Sequence, residues 1–126
     1  MSDATTGAPL RVLIVEDEGF LAMEAEDILH NFGFEVGASV ASVSEALSWI
    51  EESGNFDVAL LDVNLRGETV FPVADALATR GIGFAFATGY GDEGVRPDLR
   101  AYPIISKPYA PEELRNALHA AATLLR

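Results

Sequence analysis

The amino-acid sequence predicts an α/β fold, a doubly wound five-stranded parallel sheet. Three observations carry that reading. Short apolar runs alternate five times with amphipathic helical patterns, the order expected of a sheet with helices on both faces. The runs are continuously apolar rather than alternating, as in strands covered on both sides. At 126 residues the chain has room for one core and no second fold.

The elements follow in order. Residues 2–9 are small and polar, so residues 1–9 are expected to form a flexible tail and residues 10–126 the folded domain. Residues 12–15 (VLIV), 58–61 (VALL), 82–87 and 104–105 read as buried parallel strands, and residues 35–40 as a weaker strand of edge character. Leu21, Ala25, Ile28, Leu29 and Phe32 recur at helical spacing, as do Val43, Ala46, Leu47 and Ile50 behind a Ser42 cap. Val73 and Leu77 mark a third helix, entered through Pro72 and closed by Gly81. In the last helix Pro111 stands in the first turn, and Glu112 and Glu113 face the positive dipole end. Leu114, Ala117, Leu118, Ala121 and Leu125 share one face. Between Gly89 and Tyr102 the string GYGDEGVRPDLRAY has no sustained apolar period, and the fourth helix due there is expected to be short or disordered. The phenylalanines are expected in the core and Trp49 at the margin of its helix's apolar stripe. His30 and His119 lie at helical positions without partners and receive no site role.

Composition excludes whole classes of function. With 8 basic and 20 acidic residues the formal charge is −12, which repels nucleic acid and anionic lipid, so neither is an expected partner. The lack of cysteine removes disulfide and thiol chemistry. No apolar stretch reaches about twenty residues or resembles a signal peptide, and a cytoplasmic protein is expected.

Four apolar runs end in a polar residue: Glu16 and Asp17 after the first strand, Asp62 after the third, Thr88 after the fourth and Lys107, the only lysine, after the fifth. In doubly wound sheets ligands bind outside the carboxyl ends of the strands, where the strand order reverses. If the strand order is 2-1-3-4-5, the first and third strands are neighbours there, which brings Glu16 and Asp17 beside Asp62 across 45 positions of chain. Crowded carboxylates repel, a hard divalent cation offsets the repulsion, and magnesium suits an oxygen-lined site that also takes phosphate. Asp62 could then act as a carboxylate nucleophile toward a phosphoryl group, with Thr88 and Lys107 holding its oxygens. Each residue also has a plain reading: a helix cap or turn former for Asp62, a helix start for Glu16 and Asp17, a turn threonine, a solvated strand-end lysine. Their conjunction on one sheet edge is what independent capping does not require.

The segments IVEDE, LLDVNLRGE, FATGYG and ISKPY together resemble the receiver domain of two-component response regulators, over residues 10–126. The resemblance implies the flavodoxin-like receiver fold with strand order 2-1-3-4-5, and phosphorylation of Asp62 from a phosphohistidine on a sensor histidine kinase. It implies magnesium held by Asp17, Asp62 and the backbone carbonyl of Asn64, with Glu16 in the outer shell. It places Thr88 and Lys107 on the phosphate, and a cis peptide before Pro108. Receivers usually carry an aromatic switch residue three positions before the lysine, where this chain has Ile104. FATGYG is instead close to the FATGUY subgroup, with Gly91 where that pattern ends in tyrosine. Members of that subgroup tend to be stand-alone receivers paired with HWE-type kinases. The implied function is a phosphoacceptor rather than an enzyme, acting through a downstream protein, a phosphotransfer partner or competition for phosphoryl groups. A dehalogenase-type phosphatase would need a second aspartate where Asn64 stands. A flavodoxin-like cofactor binder would need a glycine or hydroxyl nest in place of the acidic first loop. A pseudo-receiver binding partners without phosphorylation would not need the complete quartet. With the aromatic switch absent, residues 89–102 are the expected two-state element, mobile at rest and ordered by phosphorylation.

Overall fold

A computed structural model describes residues 9–53, 55–89 and 94–124. Its main sheet comprises β1 (Arg11–Val15), β2 (Glu35–Val40), β3 (Val58–Asp62), β6 (Gly83–Thr88) and β7 (Ile104–Ser106), all parallel in the order β2-β1-β3-β6-β7. Counting only these strands, the order is the expected 2-1-3-4-5. The intervening labels belong to a ribbon that periodicity did not announce, β4 (Asn64–Leu65) paired antiparallel with β5 (Glu68–Thr69). Two-residue strands are too short to display a period, so the signal was never there to read.

Strands without alternation feed two cores. Leu13, Val15, Ala59, Leu61, Phe84 and Phe86 pack on one face with α2 (Val43–Glu52) and α3 (Phe71–Thr79). Val12, Ile14, Val58, Leu60, Ala85 and Ala87 pack on the other with α1 (Gly19–Asn31) and α4 (Pro111–Leu124). Every residue of β3 and β6 is buried, because both lie inside the sheet under helices on both sides. β2 is the edge strand and stays half exposed. Its register against β1 skips Gly37, where an added Cβ would come within 2.8 Å of Arg11 and 2.9 Å of the Phe56 ring. A glycine at this bulge lets Arg11 and Phe56 lie against the strand.

Helix ends follow the sequence signals. The Ser42 hydroxyl accepts from the Glu45 amide at 3.2 Å, and Gly81 takes a φ of +71° as α3 ends, with Ile82 donating back to Leu77 at 2.9 Å. Trp49 is partly exposed and meets Phe56 edge-on. Phe20 corrects the expectation that phenylalanines are core: it is 76% exposed, on the side of α1 away from buried Ala22, Ala25 and Leu29. Leu125, assigned to the last helix, and residues 1–8 of the tail lie outside the described residues, and Pro9 is exposed.

In the segment where the fourth helix was expected to be short or disordered, residues 90–93 also lie outside the described residues. Its described remainder holds a 3₁₀ turn at Pro97–Leu99, and the fourth α-helix in chain order is the carboxyl-terminal α4. Val95 and Leu99 are buried in the core shared with α2 and α3. Between them the Arg96 guanidinium grips both carboxylate oxygens of Asp75 on α3, at 2.7 and 3.1 Å, and lies 5.7 Å from the Phe71 ring centroid. No helix among the described residues is long and apolar enough to cross a membrane.

Candidate functional site

The carboxyl edge of the sheet is locked beyond the strands themselves. Glu16 donates its amide to Val40 O at 2.9 Å, Val63 to Ala87 O at 3.1 Å and Lys107 to Thr88 O at 3.0 Å, so the residues following β1, β3 and β7 stay in sheet geometry. That rigidity places Glu16, Asp17, Asp62, Thr88 and Lys107 together, as the topology argument expects. A carboxylate oxygen from each of Glu16, Asp17 and Asp62 can be chosen so that all three lie within 4.8 Å of one another. A cleft of about 790 Å³ opens over them, lined by Asp17, Asp62, Asn64, Thr88, Gly89 and Lys107 among others.

Glu16, Asp62 and Thr88 are the buried polar residues among those described, at 3%, 4% and 3% exposure. Charge at that depth needs partners. Lys107 supplies them, with its Nζ 3.2 Å from Asp62 Oδ1 and 3.6 Å from Glu16 Oε1. Burial works against the Lys107 charge, but Asp62 and Glu16 outweigh it and raise its pKa. The peptide bond joining Lys107 to Pro108 is cis.

Glu16 is held at three points. Its Oε2 accepts the Glu18 amide at 3.1 Å, and its Oε1 accepts the Tyr109 hydroxyl at 3.3 Å besides facing Lys107. Burial, aided by the adjacent Asp62, pushes its carboxyl up to about 7, against the pull of the Glu18 amide and Lys107. Burial and the same carboxylate raise the Tyr109 hydroxyl far above its ordinary range. Glu16 thus sits behind Asp17 and Asp62, braced from the protein side, while Asp17 faces the rim.

Asn64 lies at the mouth of the cleft. Its side-chain oxygen accepts the Gly67 amide at 3.1 Å, closing the ribbon's turn, and its own amide reaches toward Asp62 Oδ1 at 3.4 Å. Two residues at this site were not assigned roles from the sequence. Tyr109, within ISKPY, lacks any spacing signal because its contact to Glu16 spans 93 positions. Arg66, within LLDVNLRGE, reaches Asp17 with its Nε at 3.3 Å from Oδ2, and the glycine that follows it is the one sequence feature that could have pointed to its turn.

The site's hard oxygen donors fit a small divalent cation: three carboxylates close enough to share one ion, one amide-braced, with Lys107 as the resident counter-charge. Comparison with known proteins accords with this arrangement. The chain superposes on the solution structure of SdrG from Sphingomonas melonis Fr1 with a TM-score of 0.82 and 42% identity, over 94% of this chain and 100% of that one. The receiver domain of Erythrobacter litoralis PhyR shares the fold, with a TM-score of 0.81 at 22% identity over 96% of this chain and 95% of that one. A transcriptional regulatory protein, PdtaR of Mycobacterium tuberculosis, is 25% identical over 99% of this chain, which spans 62% of that protein's length. The family model for the response regulator receiver domain matches residues 12–119, and the chain belongs to that family.

Proposed function

We propose that this receiver takes a phosphoryl group onto Asp62 from the phosphohistidine of a sensor kinase, in a magnesium-dependent step, and signals through the surface that the modified site reshapes. The observation that carries the reading is the position of Asp62, buried at the end of β3 between a cluster of carboxylates and the Lys107 ammonium 3.2 Å away. SdrG has also been solved in a BeF3-activated conformation, which this chain matches at 40% identity with a TM-score of 0.77, and that supports the same behaviour here.

Asp17, Asp62 and the carbonyl of Asn64 would hold magnesium, with Glu16 behind them. Bound there, the ion supplies charge neutralisation for the carboxylates and for the incoming phosphoryl oxygens. An Asp62 carboxylate oxygen forms the bond to phosphorus as the nitrogen–phosphorus bond of the donor breaks. The electron pair stays on the imidazole nitrogen, which takes a proton from solvent. Lys107 follows the charge as it moves from Asp62 to the phosphoryl oxygens, and the Thr88 hydroxyl donates to one of them.

The chain is a phosphoacceptor rather than a turnover enzyme, because position 64 offers an amide tied into a turn where a phosphatase of the aspartyl-nucleophile type needs an acid. Its kinship with the FATGUY subgroup points to an HWE-type kinase as donor. Its output is contact with a downstream protein, phosphate shuttling or competition for phosphoryl groups, within the cytoplasm.

The test is intact mass after exposure to a small-molecule phosphodonor with magnesium. The wild-type protein is expected to gain one phosphoryl group and Asp62→Asn none. A phosphoryl gain by the substituted protein, or none by the wild type with either small-molecule donor or kinase, would overturn the assignment.

A further inference from the structure

The β4–β5 ribbon brings a second cation to the acceptor edge. Arg66 is the one non-glycine residue among those described with a positive φ, at +52°, and Gly67 follows at +85°. A side chain in that region is uncommon and persists where the surroundings hold it. Here the Asn64 side chain caps the turn through the Gly67 amide at 3.1 Å, and Val70 donates to Val63 O at 3.2 Å to close the ribbon's base. The left-handed residue at the tip turns the guanidinium back over the first acidic loop. Its Nε lies 3.3 Å from Asp17 Oδ2 and its Nη2 donates to the Asp17 carbonyl at 3.5 Å.

Asp17 therefore serves two cations if it also holds the divalent ion, as the function proposed above requires. A magnesium ion sits about 2.1 Å from each ligand oxygen. Whichever Asp17 oxygen it takes, the guanidinium is one carboxylate away, and two positive charges sharing one anion weaken each other. The Arg66 side chain is 82% exposed and that of Asp17 15%, so the guanidinium can leave for solvent while Asp17 remains in the cleft. An exposed pair of this kind contributes little to folding. Its consequence lies in cation binding.

We propose that Arg66 is an affinity-determining residue, a tethered cation that competes with magnesium for Asp17 and keeps the site's affinity low. Phosphorylation then responds to magnesium and ionic strength through the population of the released ribbon tip.

The test is calorimetric titration of magnesium into the wild-type protein, Arg66→Gln, Arg80→Gln and Asp17→Asn. Arg80 lies beyond the amino end of β6, about 17 Å along that strand from Thr88, and controls for the loss of one positive charge. Arg66→Gln is expected to bind magnesium about two- to fivefold more tightly, the range an exposed ion pair supports. Arg80→Gln is expected to match the wild type. As a second readout, the Arg66 Nε–Hε resonance of the wild-type protein should shift as magnesium is added. Unchanged affinity in Arg66→Gln, equal tightening in Arg80→Gln, or an unmoved Arg66 resonance would overturn the competition while leaving the magnesium site intact. Wild-type affinity in Asp17→Asn would overturn the cation's place on Asp17 itself, and the competition with it.

Discussion

Lys107 shows how one side chain changes meaning between sequence and fold. As a lone strand-end lysine it reads as solvated, with little weight in stability. Packed 3.2 Å from buried Asp62 and 3.6 Å from Glu16, with only a fifth of its side chain exposed, it is the resident counter-charge of the cluster. Lys107→Ala is expected to remain folded, since Lys107 belongs to neither buried apolar cluster, and to lose about 1.5–3 kcal/mol, the range for hydrogen bonds to charged groups. Added magnesium should recover part of that loss by supplying the missing positive charge. Thermal unfolding in chelator and in magnesium checks this, and a variant as stable as the wild type in chelator would show that the ammonium is dispensable to the fold. The substituted protein should still accept phosphate on Asp62, slowly.

At the scale of elements, the docking of α4 on the sheet depends on Gly83. A Cβ there would collide with the backbone carbonyl of Ala121, so β6 and α4 approach as closely as the missing side chain permits. Backbone cannot rotate aside as a long side chain can. Gly83→Ala is expected to push α4 outward and destabilise the domain by about 1–3 kcal/mol, as overpacked cores do. Urea denaturation checks it, and an unchanged midpoint would mean that α4 has room to shift at no cost. The sequence placed α4 by its own periodicity and dipole-matched start. It did not place the contact, because a glycine at the start of an apolar strand carries no mark of what it faces.

For the whole molecule, the outstanding element is the connection between β6 and β7. Ile104 occupies the position of the family's aromatic switch, and it is half-buried on β7 beside Phe86, packed into the core shared with α2 and α3. Tyr102 stacks on Phe84 at 4.0 Å, Arg96 clamps Asp75, and Val95 and Leu99 are buried in the same core, so the described part of the connection is anchored to α3 and the sheet at several points. Gly94 lies beside the acceptor, where an added Cβ would stand 3.6 Å from Val63 and 3.9 Å from the Thr88 hydroxyl. Under the function proposed here, a phosphoryl group on Asp62 that draws Thr88 inward would act next to this wall. Binding of a beryllofluoride mimic is expected to change amide protection over residues 94–102 more than around Ile104. Hydrogen exchange with and without the mimic measures it, and protection confined to the loops that follow β1 and β3 would place the response elsewhere.

The sequence by itself determined the parallel sheet, both helical layers and the placing of Glu16, Asp17, Asp62, Thr88 and Lys107 on one sheet edge. Those features follow from hydrophobic period and from the rule that parallel strands point their carboxyl ends the same way, and both are local or topological; the strand order that makes the first and third strands neighbours came from the likeness to receivers, and the structure bears it out. Only the tertiary structure decided the β4–β5 ribbon, the Arg66 contact to Asp17, the Tyr109 brace on Glu16, the exposure of Phe20 and the clamp between Arg96 and Asp75. These depend on side chains meeting across tens of positions, or on strands too short to show a period. A pattern along the chain reports which face a residue takes, while the partner it finds there is settled by packing in three dimensions.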